Sequence, residues 1–147
     1  MLRDMAYSVQ EIVIDSRHFG TTEGRTRWFL LAATQGLDID LQGLCQPQAG
    51  AENRPVGTLL DAVADDSPSW RPFTYLLEKE ERDDAKGNSF AMQIVKPDDT
   101  SVPTLRKGYY KGGSTDPLLK HPVKEGLYRL FTPQEHARFK KAPEHLI

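Results

Sequence analysis

The sequence predicts an α+β fold: a pair of strands followed by a small mixed domain with short helices. Three observations point to it. Short β-branched and apolar runs come first, apolar residues at helical spacing come only in the middle, and a capped helix start lies near the end. Ser8 to Asp15, with Val9, Ile12, Val13 and Ile14, is too short and too β-branched for a helix and reads as a strand. Residues 16 to 26 hold Thr21, Thr22, Gly20 and Gly24, a turn-forming composition, after which Arg27 to Ala33 reads as a second, buried strand. Gln42 to Arg54, rich in Gln, Gly and Pro, is a connector that adds little to a core. From Val56 on, Leu59, Leu60 and Val63 fall at helical spacing, and Phe73, Leu76 and Leu77 repeat it after Ser67-Pro68-Ser69, so two short helices are expected. The acid-rich run Glu78 to Lys86 reads as a solvated face, and Phe90 to Val95 and Val102 to Tyr110 read as further strands. Thr132-Pro133-Gln134-Glu135 is a capping box with proline at the first helical position, so a helix should run from there to about Lys141, with Pro143 beyond it. Three regions result: 1–41 with the strand pair, 42–101 as a variable segment, and 102–147 with a basic strand and the capped helix.

The length of 147 residues is that of one ordinary domain, with no internal repeat and no low-complexity tract. No apolar run approaches the ~20 residues a bilayer requires, and the start of the chain alternates charge with hydrophobe instead of carrying a signal, so the expected location is the cytoplasm. A single cysteine, Cys45, can supply neither an intrachain disulfide nor a thiolate cluster for zinc. The formal charge of −2 hides an asymmetry: residues 1–101 carry 10 Lys+Arg against 17 Asp+Glu, whereas residues 102–147 carry 9 against 4. An acidic body with a cationic end can meet phosphate, although two-signed surfaces also occur on proteins that bind nothing charged.

Arg25 and Arg27 are two apart at the mouth of a strand, so their side chains share a face. Paired guanidiniums suit a phosphate or the carbonyl edge of a base, and the competing reading is that they answer the nearby acids Asp15 and Glu23. Lys107, Tyr109, Tyr110 and Lys111 interleave cations with aromatics just before Gly112, Gly113, Ser114 and Thr115, a pattern that fits either a DNA backbone contact or a basic edge strand protected by its lysines. No Walker P-loop is present. Cys45 has no neighbouring histidine or cation to activate it, and His121, His136 and His145 lack the spacing of a zinc site, so neither a thiol enzyme nor a metal is expected.

In this order the pieces resemble the C-terminal part of DNA cytosine-5 methyltransferases. Thr22-Glu23-Gly24-Arg25-Thr26-Arg27 leading into Trp28-Phe29-Leu30-Leu31 is similar to the family's Gln-x-Arg-x-Arg segment, with Ile12-Val13-Ile14-Asp15 as the strand before it. Val102-Pro103-Thr104-Leu105 followed by Tyr109, Gly112 and Gly113 is similar to the motif that organises the target-recognition region, and Arg129 to Arg138 looks like the family's Arg-x-Leu-Thr-Pro-x-Glu-x-Ala-Arg helix start, with Pro143-Glu144 echoing its ending. The resemblance implies a strand pair from the edge of a methyltransferase sheet, followed by a small target-recognition domain. It implies duplex DNA as partner, base flipping, and a restriction–modification setting. By resemblance Arg27 donates to the carbonyl oxygen of the flipped cytosine and Arg25 supports the turn.

The sequence departs from the family in two ways. Glu23 stands where the family has Gln, with Thr22 where it often has Pro. The Pro-Cys-Gln nucleophile, the Glu-Asn-Val carboxylate and the glycine-rich turn for S-adenosylmethionine are not found, and the chain ends before the position of the family's closing motif. The expectation is therefore a fragment that binds no cofactor itself, is inactive alone, and methylates only when joined to an N-terminal catalytic half that uses S-adenosylmethionine. The alternative is a stand-alone DNA-binding or regulatory protein without catalysis.

Overall fold

The structure, a computed structural model, describes residues 2–37, 39–43, 54–143 and 145. Cys45, most of the connector and Glu144 lie outside the described residues.

Strand β1 (Tyr7–Asp15) and strand β2 (Thr26–Thr34) form an antiparallel hairpin in continuous register from Tyr7 opposite Thr34 to Asp15 opposite Thr26. Alternation sends Val9, Val13, Trp28 and Leu30 to one face and Ile12, Ile14, Phe29 and Leu31 to the other, so the hairpin is apolar on both faces. Strands with that pattern ordinarily lie between two covering layers. Here Trp28 is 58% exposed, Val13 62% and Phe29 47%. The expectation of a buried second strand is thus corrected: β2 has the composition of a buried strand, but among the described residues nothing buries it.

The body begins after the connector. Val56–Leu59 forms only a 3₁₀ turn, not the expected helix. Gly57 and the β-branched Val56 and Thr58 disfavour a helix, the Thr58 hydroxyl donates to the Pro55 carbonyl at 2.8 Å, and the Gly57 N–H donates to the Pro97 carbonyl at 2.8 Å. Helix α1 (Thr74–Asp84) is the second expected helix, and it buries Leu76 while its acids face outward in the main. Lys79 pairs with Asp83 at 3.0 Å and lies over the Phe90 ring at 3.5 Å. Strand β3 (Ile94–Val95) is shorter than the alternation of 90–95 predicts, because it has a ladder partner for two residues only: it runs parallel to β4 (Leu118–Lys120), which pairs antiparallel with β5 (Tyr128–Arg129). Helix α2 (Pro133–Phe139) starts with the expected capping box and stops two residues early, where the Phe139 carbonyl accepts from the N–H groups of Thr22 and Glu23 at 2.9 and 3.1 Å.

Val102 to Tyr110 is not a strand. Val102 makes one isolated parallel bridge with Glu23, Pro103 has no N–H, and Tyr109–Lys111 is a 3₁₀ turn. The core gathers Val56, Val95, Val102, Leu105, Tyr109, Leu119, Phe131 and Phe139, joined by a smaller cluster of Phe73, Leu76 and Leu118. Within it Arg129 and Glu135 form a buried bidentate pair at 2.6 and 2.7 Å, and Glu135 also accepts from the N–H groups of Asp61 and Thr132. A buried carboxylate with four donors is satisfied, and the motif around the capping box is therefore a structural lock as well as a helix start. Among the described residues no helix is long and apolar enough to cross a membrane, and no cluster of three or more metal-ligating side chains forms.

Candidate nucleic-acid interface

The turn from Thr22 to Arg25 is held from three sides. Val102 N–H donates to the Thr22 carbonyl at 2.9 Å and Gly24 N–H to the Val102 carbonyl at 2.8 Å. Thr104 donates its hydroxyl to the Gly24 carbonyl at 2.8 Å, and Ser16 bridges the Glu23 carbonyl and the Arg25 N–H at 2.6 and 3.0 Å. Glu23 is the centre of this clamp. Its side chain is buried, one carboxylate oxygen accepts from the Leu105 N–H at 2.8 Å, and the other is paired with Lys140 just past α2. This accounts for an acid at the position where glutamine is usual: it faces the interior and Lys140, not the solvent. Nothing in the local sequence marks the pairing, since Lys140 is far along the chain.

From that clamp Arg25 and Arg27 emerge into a cavity of about 300 Å³ that they line together with Ile14, Ser16, Phe19 and Phe29. Their sharing of one face agrees with the alternation of the strand. The acids that were to neutralise them are engaged elsewhere. Asp15 accepts from the Arg17 N–H at 2.9 Å and from its guanidinium at 2.7 and 3.0 Å. These Arg17 hydrogen bonds hold the Asp15 carboxyl far below its ordinary value. Among the described residues Arg25 and Arg27 have no carboxylate partner; Arg27 donates to the Thr26 carbonyl at 2.8 Å and retains further guanidinium donors.

The second predicted cluster divides by burial. Lys107, Tyr110, Lys111 and Thr115 are exposed, with Tyr110 at 74%. Tyr109 is a core residue, a correction to its grouping with the surface tyrosine: its hydroxyl donates to the Pro117 carbonyl at 2.7 Å and accepts from the Phe131 N–H at 2.9 Å, and burial raises its pKa well above the phenolic norm. Gly112 is buried as well. It turns the chain at φ +65°, and a β-carbon there would stand 3.3 Å from the Phe73 ring, so its lack of a side chain serves the fold. Gly113 and Ser114 are half-buried. Asp116, which sequence reasoning did not single out, is buried and gathers the Gly113 N–H at 2.7 Å and the Arg106 guanidinium at 2.9 and 3.2 Å.

A family model described as C-5 cytosine-specific DNA methylase matches residues 1–145. The chain belongs to that family. Two solved methyltransferases share its fold. Against Schizosaccharomyces pombe Dnmt2 methyltransferase the identity is 22% and the TM-score 0.67, over 99% of this chain and 48% of that one. Against Entamoeba histolytica methyltransferase EhMeth the identity is 22% and the TM-score 0.54, over 94% of this chain and 42% of that one. The methylase chain described here therefore spans about half the length of the structures it matches. No curated protein gives a significant match.

The family implies S-adenosylmethionine in the parent enzyme. The described residues do not fit it: among them β1 and β2 pair only with each other, and no strand leads through a glycine-rich turn into a helix, the unit that binds such a cofactor by its backbone.

Proposed function

We propose that this chain is the target-recognition and C-terminal part of a DNA cytosine-5 methyltransferase, which binds duplex DNA and methylates cytosine only together with a catalytic half. The observation that carries the reading is the Arg25–Arg27 cavity, in which two guanidiniums without carboxylate partners among the described residues stand beside the apolar Ile14, Phe19 and Phe29. A flipped pyrimidine presents a flat apolar face and a carbonyl oxygen, and such a cavity complements both. Arg27 donates to that oxygen; Arg25 supports the turn. Lys107 and Lys111 meet the phosphate backbone. The hairpin, apolar on both faces and uncovered, is the surface that joins the catalytic half. The closed core of the body favours one alternative, a stand-alone DNA-binding or regulatory protein without catalysis, in which the hairpin associates otherwise.

Methyl transfer from labelled S-adenosylmethionine to duplex DNA tests the reading. The chain alone is expected to give no turnover, and turnover by it overturns the requirement for a second half. In the complete enzyme Arg27→Ala is expected to lower kcat more than DNA affinity, because the base is held in the pocket only after it has left the stack. Equal loss of both removes Arg27 from that role.

A further inference from the structure

A second cavity, of about 290 Å³, is lined from Arg106 onward, directly after the clamp residue Leu105. Its buried lining is aromatic, from Tyr109 and Phe131, with the half-buried Leu130, Thr132 and His136 and the exposed Pro133 beside them. Its exposed charged and aromatic lining is Lys107, Tyr110 and Arg106. These three are differently occupied. Arg106 is committed to Asp116 at 2.9 Å, Lys107 has no partner among the described residues, and the Tyr110 ring is 74% exposed with the Lys111 ammonium 5.8 Å from its centre.

A cavity of this size holds one nucleobase. An apolar, aromatic-walled pocket with a free cation at its edge matches a nucleotide in particular: the base supplies a π-face for Tyr110 and an apolar body for the pocket, and the phosphate beside it meets Lys107. We propose that this cavity is a second nucleotide site, which takes one unpaired base of the bound DNA, separate from the Arg25–Arg27 cavity. The inference rests on the DNA-binding reading above. Tyr110 stacks on the base, Lys107 holds its phosphate, and Phe131 and Pro133 form the wall against which the base lies. Its lining comes from residues 106–110, from Leu130 to Thr132 and from α2, and shares no residue with the Arg25–Arg27 cavity.

Three end-labelled duplexes of one sequence test it against the whole 147-residue chain by fluorescence anisotropy: fully paired, bearing a single unpaired base as a bulge, and bearing the same bulge with an abasic nucleotide. The abasic duplex separates the base from the bend it introduces. The base-bearing bulge is expected to bind at least about fivefold more tightly than the abasic one, the effect of stacking one base. Tyr110→Ala is expected to abolish that preference and Tyr110→Phe to keep it; Tyr110 is on the surface, so both variants fold. Lys107→Ala is expected to weaken all three duplexes and flatten their salt dependence. Equal affinity for base-bearing and abasic bulges overturns the second site while leaving the DNA-binding reading intact. Failure to bind any of the duplexes at low salt overturns both.

Discussion

The hairpin and the body of this chain handle apolar surface in opposite ways. In the body, Phe139, Leu105, Val102 and Leu118 are almost wholly buried within about ninety residues of sequence. In the hairpin, Trp28, Phe29 and Leu30 are about half exposed although their strand is as apolar as any in the chain. The same composition thus has different outcomes because burial belongs to what packs on a strand, not to the strand. A large exposed apolar surface marks an interface, and a hairpin with two such faces calls for covering on both. The Glu23 clamp is where the two regions meet, so the arginines at the end of the hairpin are positioned by the body.

The comparison has consequences for stability. Glu135→Ala should have the largest effect, about 3–5 kcal/mol in urea unfolding, because it leaves the Arg129 guanidinium buried beside the core without its counter-charge. A loss under about 1 kcal/mol would mean that the body does not depend on this pair. A smaller effect, dependent on pH, is expected at Asp61. The Thr132 hydroxyl at 2.5 Å, followed by Arg138, holds its carboxyl below the ordinary 3.8. A carboxyl that binds its proton less tightly when folded stabilises fully above the unfolded value and loses that contribution as pH falls through the folded one. Wild type and Asp61→Asn should therefore differ by about 1 kcal/mol or less at neutral pH and converge below pH 4, as read by melting temperature across pH 3 to 7. A gap that stays constant over that range excludes the charge as its cause. The smallest effect is expected in the hairpin, where Trp28→Ser should change unfolding free energy by no more than about 0.5 kcal/mol while reducing self-association in sedimentation. A loss of several kcal/mol there would mean that the hairpin is covered in solution and would erase the contrast between the regions.

Much of this was legible in the sequence. Both hairpin strands were placed within a residue at each end, because β-branched runs flanked by a turn carry their own signal, and the cap of α2 was readable because Thr132, Pro133 and Glu135 act on neighbours in sequence. The 102–110 segment has the pattern of a strand yet is not one, for the converse reason: its backbone groups are satisfied by the Thr22–Gly24 turn and the Glu23 carboxylate, which are about eighty residues away in the chain. The two site clusters fared differently too. Arg25 and Arg27 share a cavity as their spacing implied, whereas Tyr109 and Tyr110, adjacent and chemically alike, were separated into core and surface.

By itself the sequence determined the local elements, the charge asymmetry, the arginine pair and the kinship of motifs with cytosine-5 methylases, all of which depend on residues close in the chain. Tertiary structure alone decided which charges neutralise one another. Asp15 turned to Arg17 and Glu23 to Lys140, so Arg25 and Arg27 were left with their positive charge facing an open cavity. That outcome depends on distances of a few ångströms between side chains, over which ion pairs form or fail, and those distances exist only once the chain has folded.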